Sequence, residues 1–412
     1  MSVLEFSLQT RLRALAAQGL TRRRRVLEGR ARASARVLDA SEKAETQEML
    51  AFASNDYLGL SANEEIARAM AEGAANWGAG SGASHLVSGH LLPHQVLEEA
   101  LAAHVGFPAA LTFSSGYLAN LAVTPTLAAQ REDAIFSDRL NHASLIDAAR
   151  LSLARQYRYP HRDMDALARL LQKSPAKTKV IVTDAVFSMD GDVAPLAELF
   201  TLAERFDAWL VVDDAHGFGV LGEQGAGSLS HCGLAAHPRL VLMGTLGKAA
   251  GVGGAFVAAA KSVIAYLVHK ARSYIFTTAQ PPALAVAAQK SLFILAGAEG
   301  SARRERLRAR IQQFREGARM LPWPLMDSQT AIQPLVTGGN EAALLLSEAL
   351  WRRGLWVPAI RPPAVPAGAA RLRVSLSAAH TEEEVARLLF ALSALAAEEN
   401  IAASGFSREK AA

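Results

Sequence analysis

Two short apolar runs in this chain each end in residues equipped for chemistry. In WLVVDDAHGFG the run Trp209–Val212 leads to Asp213 and His216, and in LVLMGTLGKAAG the run Arg239–Met243 leads to Thr245 and Lys248. Lys248 stands 35 positions after Asp213, inside a glycine-rich loop. A surface lysine needs no glycines around it, so a structural role explains this loop poorly. An amine and a carboxylate delivered to neighbouring strand ends suit pyridoxal phosphate. The amine forms an imine with the cofactor and later moves a Cα proton. The carboxylate keeps the pyridine nitrogen protonated, so that the ring can take up electrons. The bland alternative for Asp213 is a strand-end turn.

Other motifs carry less on their own. SSGYLAN (Ser114–Asn120) follows an apolar strand and opens a helical pattern, and amides at such a start suit a phosphate. His142, in DRLNHASL, either stacks on a planar ring or caps the following helix. GFGVLG (Gly217–Gly222) has the spacing of a dinucleotide fingerprint, but more glycine follows where a helix should open, so it reads as a decoy. GTLGK is no phosphate-binding P-loop, because Ala249 occupies the Ser/Thr position. His90, His94 and Glu98 have the i, i+4, i+8 spacing of metal ligands on one helix face. Pro93 interrupts that helix, so His94 reads as a structural histidine and no metal is expected.

These residues must be held by a larger frame. Ala109–Phe113, Lys179–Thr183, Trp209–Val212 and Arg239–Met243 are strand-like, and Met164–Gln172 and Ala194–Phe206 are amphipathic helices between them. The alternation predicts an α/β fold whose mostly parallel sheet is covered by helices, with ligands at the carboxyl ends of its strands. After Pro281-Pro282 a long helix-like stretch from Ala283 to Met320 precedes strand candidates at Ile332–Val336, Leu355–Val357 and Arg371–Ser375. Thr381 with Glu384 makes a capping box at the start of a final helix, Thr381–Glu399. The expected units are a helical arm (1–50), a large domain (51–285), a smaller α+β domain (286–400) and a polar tail (401–412).

Composition narrows the classes further. The 412 residues are 50% hydrophobic and 20% charged, enough for a sizeable core. A single cysteine, Cys232, excludes a disulfide framework and fits a reducing, cytoplasmic compartment. The longest stretch without a charge or histidine, Val105–Gln130, contains too many polar residues for a membrane span, and no secretory start is visible. The net charge of +4 is uneven: residues 11–36 hold Arg11, Arg13, Arg22 to Arg25, Arg30, Arg32 and Arg36 against Glu28 alone. That arm reads as a solvated basic face, as a surface for an anionic substrate, or as a targeting or nucleic-acid arm.

FASNDYLGL, SGASHLVSGHLLPHQVLE, SSGYLAN, DRLNHASLIDAA, VFSMDGDVAPL, VVDDAHGFGVLGEQGAGS, GTLGKAAGVGGAF and IFTTAQPPA together resemble the α-oxoamine synthases. The resemblance spans about residues 50–395 and implies a fold type I pyridoxal-phosphate enzyme with a seven-stranded sheet and a smaller C-terminal domain. Such enzymes join an amino acid to an acyl thioester with loss of CO2. The segment IRPPAVPAGAARLRVSLSAAH (Ile360–His380) is most similar to the branch that uses L-alanine and a pimeloyl thioester, on coenzyme A or an acyl carrier protein, in biotin biosynthesis.

Carried over residue by residue, the resemblance makes Lys248 the imine-forming lysine and Asp213 the partner of the pyridine nitrogen. His216 would bond the ring hydroxyl and His142 would stack on the ring. Gly116, Tyr117 and Thr245 would hold the phosphate, with Ser188 beside the ring. Thr277 and Thr278 would reach the phosphate in the other subunit of a homodimer. Asn55 and Arg361 would orient the amino-acid carboxylate. Two positions depart from the family pattern: Ala364 replaces a usual threonine, and the acyl-contacting arginine aligns on Thr21, beside Arg22. A glycine-using sister, such as glycine C-acetyltransferase or 5-aminolevulinate synthase, is the nearest rival. A non-catalytic binding subunit is another, although it would be expected to lack the lysine. No nucleic-acid or membrane partner is expected.

Overall fold

Alternate residues along the central strands divide between two hydrophobic clusters. Phe136, Ile181, Leu210, Val212, Leu240 and Leu242 enter one; Ile135, Val180, Val182, Val211, Val241 and Met243 enter the other. All twelve are at most 1% exposed. Successive side chains of a strand point to opposite faces, so a sheet apolar on both faces must be covered on both. Each such buried side chain contributes roughly 1.5–3 kcal/mol.

The computed structural model describes residues 2–18, 20–21, 24–30, 33–38 and 46–398. Its central sheet has seven strands in the order Ala109–Phe113, Ala255–Ala259, Leu240–Thr245, Ala208–Asp213, Lys179–Asp184, Ala134–Asp138 and Arg155–Tyr159. Only Ala255–Ala259 runs antiparallel to its neighbours. The other six therefore end on one edge, and the residues following them meet there. The four strands expected from the sequence are present; Ala134–Asp138, Arg155–Tyr159 and Ala255–Ala259 are additions to that expectation.

The expected long helix after Pro282 is two helices, Pro282–Ala296 and Ala298–Ala318. The break falls at Gly297, whose backbone is extended (φ −89°, ψ −175°). The chain folds back tightly there: a Cβ on Gly300 would lie 2.3 Å from the Leu295 carbonyl oxygen. Pro282–Ala296 packs closely on Glu64–Trp77, for a Cβ on Gly73 would stand 3.0 Å from Ala283 Cα.

The helical arm is shorter than expected. Among the described residues of the arm only Val3–Ala17 is helical, and none of those residues is buried. Val26–Glu28, Ser34–Leu38 and Thr46–Ala51 are antiparallel strands, and Thr46–Ala51 pairs in parallel with Leu355–Trp356. The start of the chain thus shares a sheet with a segment near its end, and Leu355–Trp356 lies outside the small-domain sheet assumed for it. The Arg25 guanidinium lies 3.3 Å from the centroid of the Trp351 ring and 5.5 Å from that of Trp356, a cation–π clamp.

The small sheet joins Ile332–Gly338, Ala370–Ser375 and Ala359–Ile360, all antiparallel. The capping box is present: Thr381 N–H donates to Glu384 Oε2 (2.8 Å) and Glu384 N–H to Thr381 Oγ1 (3.2 Å). Among the described residues no helix is long and apolar enough to cross a membrane.

Candidate active site

Asp213 ends its strand 3% exposed, and a buried carboxylate needs donors. Asn120 Nδ2 donates to its Oδ2 (2.7 Å) and the Ala215 N–H to its Oδ1 (3.0 Å). Asn120 sits on the helix Gly116–Leu127, which starts just beyond the end of the strand Ala109–Phe113; Ser115 caps it by accepting from Leu118 N–H (3.3 Å). The first amides of that helix face the same pocket, lined by Gly116, Tyr117, His142, Asp213, Thr245 and Lys248 among others, with a volume of about 180 Å³.

Lys248 brings its amine into this pocket. Burial pushes the amine down to about 8, against the opposing pull of Asp213 and Asp184. Near neutrality an appreciable share is therefore uncharged and nucleophilic. Lys248 Nζ lies 2.8 Å from His216 Nε2, and His216 Nδ1 lies 2.6 Å from the Tyr57 hydroxyl. Tyr57 in turn donates to Asn55 Oδ1 (3.1 Å). Burial and the Lys248 charge hold His216 well below its ordinary range, so the ring is neutral. The proton order follows: Lys248 donates to Nε2, and Nδ1–H donates to Tyr57.

His142 caps the following helix, one of its two expected roles, and it also faces the pocket. Its Nδ1 accepts from Ser144 N–H (3.2 Å), capping the helix Ala143–Leu151, and its ring lines the pocket with Lys248. That capping leaves the Nε2 proton for the pocket. Burial lowers the imidazole, so it is a neutral donor near pH 7. Asp184 pairs with Asp213 across the sheet, and burial followed by the Asp213 charge raises it well above the carboxylate range. Its Oδ2 accepts from His142 N–H (2.7 Å).

Four contributors were not singled out from the sequence: Tyr57, Asn120, Asp184 and Arg373. Arg373 is buried; its Nε donates to the Ser188 carbonyl (2.6 Å), Nη1 to Ser375 Oγ (2.7 Å) and Nη2 to Asn55 Oδ1 (3.2 Å). Asn55 and Tyr57 link the guanidinium to His216, and its charge lowers both His216 and Lys248. Alternation on one strand offered a signal for it, since Arg371, Arg373 and Ser375 share a face. Arg361, the residue expected in this role, is half-buried in the turn after Ala359–Ile360.

The remaining expected residues divide. Thr245 Oγ1 donates to the Gly254 carbonyl (3.1 Å) and accepts from Gly247 N–H (3.3 Å), fixing the lysine loop. The Tyr117 hydroxyl donates to Asp147. Ser188 meets the site through its carbonyl. Thr277 and Thr278 lie outside the pocket of their own chain, beside Phe276, which is 70% exposed. Ala364 lines a neighbouring cavity, Thr21 is exposed, and Arg22 lies outside the described residues.

GFGVLG opens no α-helix, only the three-residue 3-10 turn Glu223–Gly225, and Gly217 packs where a Cβ would meet Asp214 Oδ1 and Ser228 Oγ at 2.1 Å. Of the three residues with metal-ligand spacing, Glu98 is taken by Thr112 N–H (2.7 Å) and Oγ1 (2.8 Å). His94 accepts from Leu91 N–H (3.0 Å) and donates to the Gln280 carbonyl (2.9 Å), so both nitrogens are used. His85 joins His90 instead, Nδ1 to Nδ1 at 2.8 Å.

A buried carboxylate held by two N–H donors, an amine of lowered pKa and a helix N-terminus surround one pocket. This set fits pyridoxal phosphate. Residues 47–392 match the family model "Aminotransferase class I and II". The chain is 61% identical over 397 residues to the 8-amino-7-oxononanoate synthase of Dechloromonas aromatica, covering 96% of this chain and 100% of that one. To the synthase of the same name from Herminiimonas arsenicoxydans it is 56% identical, over 94% of this chain and 98% of that one. Among solved structures, a serine palmitoyltransferase of Sphingomonas wittichii superposes with a TM-score of 0.86 at 29% identity, covering 96% of this chain and 98% of that one. The 8-amino-7-oxononanoate synthase of Francisella tularensis gives 0.73 at 31% identity, over 84% and 97%. The chain belongs to the class I and II aminotransferase family and, within it, to the 8-amino-7-oxononanoate synthases.

Proposed function

We propose that the protein binds pyridoxal phosphate and condenses L-alanine with a pimeloyl thioester, releasing CO2 and the free thiol to give 8-amino-7-oxononanoate for biotin synthesis. The observation that carries this reading is the buried Lys248 amine, lowered to about 8, sharing one pocket with the donor-held Asp213. When bound, the cofactor supplies an electron-withdrawing ring that stabilises negative charge at the amino acid's Cα.

The chain's residues do the rest. Lys248 would anchor the cofactor, and its Nζ, when free and uncharged, would accept the Cα proton. Its hydrogen bond to neutral His216 holds that amine in place without adding charge. Asp213 would hold a proton on the pyridine nitrogen, and Asn120 keeps its carboxylate from turning. Arg373, with Asn55, receives the amino-acid carboxylate in its forked guanidinium. His142 donates from Nε2 to the thioester oxygen as charge develops there. We read residues 51–285 as the cofactor-bearing domain, the cytoplasm as the compartment and a homodimer as the working unit.

The test is mass spectrometry of the product made from purified, cofactor-loaded protein. Alanine, glycine and serine are offered separately with pimeloyl and shorter acyl thioesters. The mass of 8-amino-7-oxononanoate, formed from alanine and pimeloyl thioester in preference to other pairs, is the expected outcome. Preferred turnover of glycine with a short acyl group would replace this reading by that of the sister enzymes.

A further inference from the structure

A pimeloyl thioester ends in a carboxylate that must meet either water or a cation. Thr21 and Ala364 offer none, and Arg25 is spread over two tryptophan rings. A second cavity, of about 320 Å³, borders the pocket through the segment Asn141–His142. Arg139 and Arg158 line it together with Ile146, Phe187 and Ala364.

The charges of this cavity do not balance. Asp190, its one acidic lining residue, is engaged by Arg371. Asp138 and Asp192, close by in the chain, both hold His161, and Asp192 also holds Arg162. Arg158 Nη2 donates to the Arg139 backbone carbonyl (2.8 Å), which clamps the two residues together without neutralising either. No carboxylate pairs with either guanidinium among the described residues. Beside its polar groups the cavity offers Ile146, Phe187, Ala364 and Val365, apolar side chains along which a polymethylene chain can lie.

We propose that Arg139 and Arg158 receive the terminal carboxylate of the acyl chain, whose methylenes lie along Ile146, Phe187 and Ala364. Their task is to select a dicarboxylic acyl group over a plain fatty acyl group. This rests on the condensation proposed above and adds the chemistry of the acyl end. Ala364 fits it, since a methyl at that position continues the apolar wall.

Four thioesters test the assignment: pimeloyl and heptanoyl, each on coenzyme A and on N-acetylcysteamine, with Arg139→Gln, Arg158→Gln and the double variant. The quantity read is the ratio of kcat/KM for pimeloyl over heptanoyl. Exposed ion pairs of this kind are modest, so the ratio should fall about fivefold per arginine, on both carriers, with Arg139→Lys retaining most of it. An unchanged ratio overturns the proposal. Losses confined to the coenzyme A thioesters, and equal for both acyl groups, overturn it too by assigning the arginines to carrier phosphates. Were wild-type protein to turn over no thioester with alanine, the condensation itself would fall, a result distinct from an unchanged ratio.

Discussion

Lys248 must be uncharged to attack an aldehyde, and burial sets when that happens. With the amine at about 8, roughly a tenth is neutral at pH 7 and roughly nine tenths at pH 9. Uptake of pyridoxal phosphate by cofactor-free protein should therefore quicken about tenfold between those values, with a midpoint near 8. Stopped-flow absorbance measures this; a midpoint near 10 would show that the pocket does not tune the amine. Lys248, Asp213 and His216 were legible because each sits just beyond an apolar run, where strand chemistry is concentrated; His142 was legible only through its motif, DRLNHASL. Asn120, Asp184, Tyr57 and Arg373 were not, because their partners come from elements distant in sequence. Arg373 meets Asn55 across more than three hundred residues, and no local pattern encodes that pairing.

Between the strand Ala134–Asp138 and the turn after Lys179–Asp184, His161 works as a rivet. Its Nδ1 lies 3.1 Å from Asp138 Oδ1 and its Nε2 2.9 Å from Asp192 Oδ2. Burial pushes the imidazole down, but the two aspartates outweigh it and raise it to about 9. A group raised on folding lends stability that is complete below its unfolded value near 6.5 and lost as pH rises through 9. Wild-type melting temperature should fall by about 2 °C more than that of His161→Gln over this window, read by scanning calorimetry. Equal slopes would remove the rivet. At this scale the sequence was read unevenly. Arg155–Tyr159 is an edge strand with polar alternation, and Ala255–Ala259 is rich in alanine, so neither resembles a buried strand. The helix break at Gly297 was hidden because one glycine in a helical pattern is ordinarily tolerated.

For the whole molecule the question is how many chains make a site. Thr277 and Thr278 lie away from their own pocket, and Leu86, Val87 and Phe276 are 49%, 79% and 70% exposed. A second copy would cover these side chains and bring the threonines to its phosphate. Wild-type protein should sediment as a dimer. Mixed dimers of Lys248→Ala with the Thr277→Ala/Thr278→Ala variant should regain wild-type cofactor affinity at one site in two. That site draws its lysine from one chain and its threonines from the other. Absence of any such rescue, or an active monomer, would return Thr277 and Thr278 to a purely local role.

The parallel pairing of Thr46–Ala51 with Leu355–Trp356 also bears on how the chain is born. A ribosome releases the earlier strand long before it makes the later one. At ordinary rates of synthesis the intervening 300 or so residues take about 15 to 60 s. Throughout that interval one edge of Thr46–Ala51 waits without its partner, while the large domain has time to close around its own sheet. The N-terminal strands can therefore be finished only after the small domain emerges. Thr46–Ala51 and the strands paired to it are thus among the last elements to reach their native places.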